Sequence, residues 1–154
     1  MAKKTNNGKL SEAEFQNCLR TLYKNRVHII RFDDAAVAYG LNKAAVKVNA
    51  QPADYLVACN GAMFLAEVKS SMNPSSFSFS NIGDLQLKTS KLVRLTGCNY
   101  IFFCHNLTTN KFHFMDAGLL HRTLGNRSSL KWEEIPEWTE YNTYLAQKEM
   151  NELP

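Results

Sequence analysis

The sequence predicts an α/β fold in which a mixed β-sheet carries helices on its faces. Three observations support this. Apolar residues recur at helical spacing after a polar N-terminus, in Phe15, Cys18, Leu19, Leu22 and Tyr23. Runs rich in β-branched and aromatic residues, at 27–32 and 99–104, have the composition of buried strands. Two further strand-like runs flank Asn60-Gly61, the dipeptide most strongly associated with a two-residue hairpin loop. A length of 154 residues suits one domain with its own core. The expected division is a flexible basic tail over residues 1–9 and a single domain over 10–154.

The first helix is expected to start at Ser11. Ser11 serves as N-cap and Glu14 as its capping-box partner, with Leu10 and Phe15 as a hydrophobic staple and an end near Asn25-Arg26. The strand at 27–32 follows. Residues 33–49 are ambiguous, with Ala-rich runs that favour a short helix and Gly40 interrupting them. After the hairpin, 70–80 reads as a polar loop containing Pro74. The next helix spans about 81–95 and places Ile82, Leu85, Leu92, Val93 and Leu95 near one face. The strand at 99–104 is expected to pair with 111–115 across a loop at 106–110. A short helix follows Asp116, and 139–153 reads as a final helix packed by Trp132 and Trp138 on either side of Pro136.

The hairpin works as a ruler. With Asn60 and Gly61 in the loop, Cys59 faces Ala62, and counting outward brings Asp54 opposite Glu67. Directly opposed residues share a sheet face with Cβ atoms about 4.5–5.5 Å apart. Lys69, two residues beyond Glu67, lies on the same face. Leu56, Met63 and Leu65 share it too, so these acids are not on a simple solvated surface. Like charges directly opposed repel. A hard divalent cation such as Mg²⁺, or Mn²⁺ in its place, relieves the repulsion and suits oxygen ligands. The main-chain carbonyl of Val68 is a further candidate ligand. Such a site favours hydrolysis of a phosphodiester, with Lys69 orienting the attacking water or offsetting charge on the phosphate. The bland alternative is a surface salt bridge.

The string Pro52-x-Asp54 followed by Glu67-x-Lys69 resembles the PD-(D/E)XK nuclease superfamily. Ser70-Ser71, Ser76-Phe77-Ser78-Phe79, Asn81 and Gln86 continue in the order found in RecU-type Holliday junction resolvases, with Leu85 where that family often has His. The likeness covers roughly 53–136. The compact chain is similar to a phage or mobile-element version, and the family's stalk would have to fit within about 33–51. The resemblance implies a restriction-endonuclease-like mixed sheet flanked by helices. It implies a Mg²⁺-dependent endonuclease with Asp54 and Glu67 as metal ligands, Lys69 as the residue assisting water, and Gln86 as a supporting residue. Gln86 is equally readable as an ordinary polar edge residue. Glu14 is either the capping residue or an acid supplied to the site from the first helix, as members of the superfamily often do. The implied partners are four-way or other branched DNA and a second copy of the chain in a homodimer, with roles in recombination and repair.

DNA contacts are expected from Lys88, Lys91 and Arg94, a basic stripe that is otherwise a solvated helix face, and from Ser70, Ser71, Ser76, Lys43 and Lys47. The formal net charge of +4 permits nucleic-acid binding without demanding it. No run approaches the roughly 18 apolar residues of a membrane span, and a cytoplasmic protein is expected, in a bacterial or phage-infected cell. Cys18, Cys59, Cys98 and Cys104 form no CxxC pair and read as buried free thiols. His28, His105, His113 and His121 show no nucleophile–base pairing. Two alternatives stay open: another PD-(D/E)XK repair or restriction-like nuclease, and a non-catalytic DNA-binding module on the same fold.

Overall fold

A computed structural model describes residues 6–32, 51–59 and 61–139. The expectations for 33–49 (including Asp33, Asp34, Lys43 and Lys47), for the final helix and for Met1–Thr5 fall outside these residues. The element order is α1 (Asn7–Tyr23), β1 (Val27–Arg31), β2 (Tyr55–Cys59), β3 (Ala62–Ser71), β4 (Ser76–Ser78), α2 (Asp84–Leu95), β5 (Asn99–Asn106), β6 (Lys111–Asp116), α3 (Ala117–Thr123) and β7 (Ser129–Lys131). The main sheet has the strand order β1-β2-β3-β5-β6, and β4 pairs with β7 in a small second sheet. The β3–β5 pairing is parallel and the others are antiparallel. A parallel pair needs a long crossover. Here that crossover contains β4 and α2, and it carries α2 back over the sheet.

Helix α1 begins a turn earlier than its sequence suggests. Asn6 is the N-cap, its side chain accepting from the Lys9 amide at 3.3 Å, so Asn7–Lys9 are helical rather than part of a tail. Asn caps as well as Ser does. Ser11 is released from that role and is buried, with its hydroxyl 2.8 Å from His105 Nδ1. His105 Nε2 meets Asn110 Oδ1 at 3.0 Å, so Nδ1 is left to accept the Ser11 proton. Leu10 is exposed and forms no staple.

Each sheet face has its own core. Phe15, Leu19 and Tyr23 of α1 pack on Tyr55, Val57, Phe64, Ala66, Ile101 and Phe103. On the opposite face, Tyr100, Phe102, Cys104 and Met115 lie among Phe77, Phe79, Ile82, Leu120, Leu130 and Trp132. The two tryptophans therefore serve different layers. Trp132 packs with Phe77, whereas Trp138 packs with Phe15 and Phe103. The segment between them follows β6, with Phe114 N–H bonded to Pro136 O at 3.0 Å and Trp138 N–H to Phe112 O at 2.7 Å.

Two expectations about exposure are corrected. Three leucines expected on the inner face of α2 do not face the core: Leu85 and Leu92 are 54% and 55% exposed, and Leu95 is more so. The inward residues are Leu87, Ser90 and Val93. Polar tertiary contacts set this rotation, because Gln86 reaches Glu67 and Ser90 reaches His121. Among the thiols, Cys59 and Cys104 are buried and Cys18 is half-buried. Cys98 is exposed, at the turn after Gly97 that joins α2 to β5. Among the described residues no helix is long and apolar enough to cross a membrane.

These packing roles predict opposite outcomes for two truncations. Phe15→Ala removes a ring that touches Tyr55, Phe103, Phe112 and Trp138 and is expected to lower stability by about 3–5 kcal/mol. Leu92→Ala is expected to change it by less than about 0.5 kcal/mol. Urea unfolding of the two variants measures both.

Candidate active site

The β2–β3 hairpin positions the acidic pair. Gly61 takes φ +83°, which the tight loop requires and which side chains other than Gly, Asn and Asp resist. The register runs from Cys59↔Ala62 to Tyr55↔Ala66, as the Asn-Gly loop predicts. The ladder stops there, one pair short of Asp54 and Glu67. Asp54 continues the connection by other means. Its backbone carbonyl accepts from Phe32 N–H at 2.9 Å, and its carboxylate Oδ2 accepts from Val68 N–H at 2.8 Å. The Asp54 side chain thus takes the place of the next β2 carbonyl.

Glu67 is 2% exposed. Its Oε1 accepts from the Lys69 ammonium at 2.9 Å and from the Gln86 amide. The other end of that amide, Gln86 Oε1, accepts from Gly83 N–H at 2.9 Å, which fixes its orientation at the start of α2. The Tyr100 hydroxyl lies 3.5 Å from Glu67 Oε2 and 2.9 Å from the Pro52 carbonyl, to which it donates. Four elements therefore converge on one carboxylate: β3 itself, the segment before β2, α2 and β5.

Burial raises the proton affinity of Glu67, and the nearby Asp54 charge raises it further. The Lys69 charge and hydrogen bond oppose the shift without cancelling it. Burial and the same two carboxylates push the Tyr100 hydroxyl well above its ordinary range, so it stays a proton donor.

Among the described residues, no group of three His, Cys, Asp or Glu side chains is placed to hold a metal. Two carboxylates and a main-chain carbonyl at Val68 are the available hard donors. Their chemistry fits Mg²⁺ or Mn²⁺ better than a soft metal. The residual repulsion between Asp54 and Glu67 is what a cation would relieve.

The other expected site residues are distributed unevenly. Gln86 joins the site. Glu14 does not: it is exposed on α1, beside a groove of about 410 Å³ lined by Cys18, Asn110 and Trp138. Ser70 alternates onto the α1 side of the sheet, opposite the face of Glu67 and Lys69. Ser71 is on the site's face, but it is buried and its hydroxyl accepts from Asn73 N–H at 3.2 Å, which makes it a turn former. Ser76 is half-buried in β4, opposite Lys131. Lys88, Lys91 and Arg94 are exposed along α2. Met63, expected to help bury the acids, is exposed at the far end of the hairpin; the burial of Glu67 comes from Tyr100 and α2 instead. Sequence reasoning missed Tyr100 and the Pro52 carbonyl. Tyr100 alternates with Phe102 and Cys104 on β5, but nothing in the chain fixes the register of a parallel pair made through a long crossover.

No protein-family model matches this sequence, and no curated protein does. Among solved structures, it is similar to Archaeoglobus fulgidus Hjc, a Holliday junction resolvase from an archaeal hyperthermophile. The match has a TM-score of 0.53 at 15% sequence identity and covers 84% of this chain and 95% of that one. The two chains share a fold. It is the restriction-endonuclease-like mixed sheet flanked by helices that the motif implies. The likeness shows the fold and does not single out the RecU type.

The buried acid predicts a pH dependence. Because the folded state holds the Glu67 proton more tightly than the unfolded chain, it binds more protons in the interval above the ordinary value of 4.5. Stability of the metal-free protein therefore falls as pH rises through that interval. Glu67→Gln, which mimics the protonated acid, is expected to flatten this fall and to be more stable than the parent at neutral pH. Thermal melts in chelator at pH 4 to 8 test this, and parallel curves for the two proteins would refute it.

Proposed function

We propose that this protein is a Mg²⁺-dependent, structure-selective DNA endonuclease that resolves four-way junctions as a homodimer, in recombination or repair of DNA inside the cell. The observation that carries the reading is the nearly inaccessible Glu67 carboxylate, set beside Asp54 and held by Lys69, Gln86 and Tyr100. An ordinary surface salt bridge does not have an acid whose proton affinity is raised by burial and further by a second acid. The fold shared with a Holliday junction resolvase gives the substrate class, by analogy.

A cation between Asp54 and Glu67, with the Val68 carbonyl as a third oxygen, would polarise a phosphoryl oxygen and make a bound water more acidic. The protein's own groups do the rest. Gln86 and Lys69, both on Oε1, keep the Glu67 carboxylate in one orientation. Lys69, on the same face two residues away, offers its ammonium to the attacking water or to the charge growing on the phosphate. A four-way junction has two symmetric strands to cut, and a two-fold homodimer presents two such sites to them. The Ser76-Phe77-Ser78 segment, strand β4, is the part of the chain that favours the RecU type within this reading.

Cleavage of a synthetic four-way junction, against matched linear duplex, tests the proposal. Paired symmetric nicks are expected with Mg²⁺ and with Mn²⁺. Glu67→Gln is expected to reduce the rate by about 10²–10³, and Gln86→Ala by about 10–100-fold. Equal cutting of both substrates would leave a nuclease without junction preference. Tight junction binding with no cutting would leave a binding module.

The cation has a readout that needs no substrate. Mg²⁺ at a hundredfold excess over its dissociation constant is expected to stabilise the parent by about 2.7 kcal/mol. Glu67→Gln should lose most of that gain, and an equal gain in the variant would place the cation elsewhere.

A further inference from the structure

Beyond the acidic site, the positive side chains of α2 meet those of α3. Lys91 and Arg94 lie near His121, whose proton affinity is lowered by burial and further by these two charges. Ser90, buried beneath them, donates its hydroxyl to Leu87 O at 3.0 Å. Its oxygen therefore accepts from His121 Nε2–H, also at 3.0 Å, which ties the two helices together.

Gly118 marks the closest approach. A methyl group in place of its hydrogen would lie 2.6 Å from Asp116 Oδ1, 3.2 Å from Arg122 Nη1 and 3.3 Å from Arg94 Nε. The two guanidinium groups thus converge on one glycine in the first turn of α3. Asp116 Oδ1 is engaged in capping α3, accepting from Leu119 N–H at 3.0 Å. Among the described residues, the ion pairs do not include Lys91, Arg94 or Arg122. Three exposed cations and a histidine gather here around a single carboxylate, that of Asp116, so the cluster keeps an excess of positive charge that an anion placed among them offsets.

The neighbouring acidic site points to the anion. Gln86 touches that site, and Arg94 lies eight residues further along the same helix, about 12 Å at 1.5 Å per residue. We propose that Arg94 and Arg122, with Lys91 and His121, form a second phosphate-binding site that grips the DNA backbone away from the bond to be cut. This rests on the nuclease reading. It adds Arg122 and His121, from α3, to a set that the α2 stripe alone does not contain. Arginine forks suit phosphate oxygens, and contacts of this kind position the duplex without reading its sequence.

The test uses the full chain carrying Glu67→Gln, so that DNA is bound and not consumed. Binding of a fluorescein-labelled four-way junction is followed by anisotropy across a salt series. Adding Arg94→Gln and Arg122→Gln together is expected to weaken binding and to reduce the magnitude of the log K against log[salt] slope by about 1 to 2. The loss should be equal for junctions of different sequence. Arg20→Gln, on α1 across the sheet, is the control and should leave the slope unchanged. Both arginines are exposed, so their replacement does not threaten the core. An unchanged slope and affinity in the double variant would overturn the second site. If the parent still cuts junctions while Glu67→Gln does not, the nuclease reading survives that result. If the parent neither binds nor cuts DNA, both fall together.

Discussion

Burying a carboxylate in a sheet is the constraint around which this fold is arranged. An ionised acid removed from water costs several kcal/mol unless it is paired and hydrogen-bonded. Glu67 meets that cost through Lys69 on its own strand and Gln86 on α2, with the Tyr100 hydroxyl of β5 close by. The Asp54 carboxylate accepts from the Val68 amide. The compensation is incomplete by design of the neighbourhood, since Asp54 adds negative charge where one carboxylate is already enclosed. That leftover charge distinguishes a site from a satisfied ion pair.

The connectivity follows from the same requirement. A parallel β3–β5 pair forces the chain to leave the sheet, cross over and return. The crossover delivers Gln86 above Glu67 and then turns Ser90 toward His121. Two polar contacts on one helix face thereby fix the rotation of α2, and its leucines at 85, 92 and 95 are carried outward. On the opposite sheet face α1 packs mainly by apolar contact through Phe15, Leu19 and Tyr23, with Ser11 bonded to His105.

What could be read from the sequence follows from the range of each interaction. The β2–β3 register was legible because a two-residue loop fixes it and because side chains alternate with a period of two. That local argument placed Asp54, Glu67 and Lys69 together. The strands at 27–31, 99–106 and 111–116 were legible from composition, within a residue or two at each end. The start of α1 was misread because Asn6 and Ser11 are both competent caps, and only the distant His105 decides between them. The inward face of α2 was misread for the same kind of reason. Its apolar spacing predicts one rotation and its long-range polar partners impose another. Ser70 and Ser71 looked alike in sequence, yet strand alternation sends one to each side of the sheet.

Fold and chemistry are therefore coupled through assembly. The hairpin alone brings two acids together, and like charges so placed favour separation. The sheet must add β5 before Tyr100 is in reach, and α2 must dock before Gln86 is. The docking of α2 in turn depends on α3, through Ser90 and His121. A chain that has formed only the hairpin has the residues of the site without its geometry. This accounts for the low sequence identity with a protein of the same fold. Most positions need only be apolar and of suitable size. The few that hold the enclosed carboxylate must supply a particular donor at a particular place, and they are scattered over elements far apart in the chain.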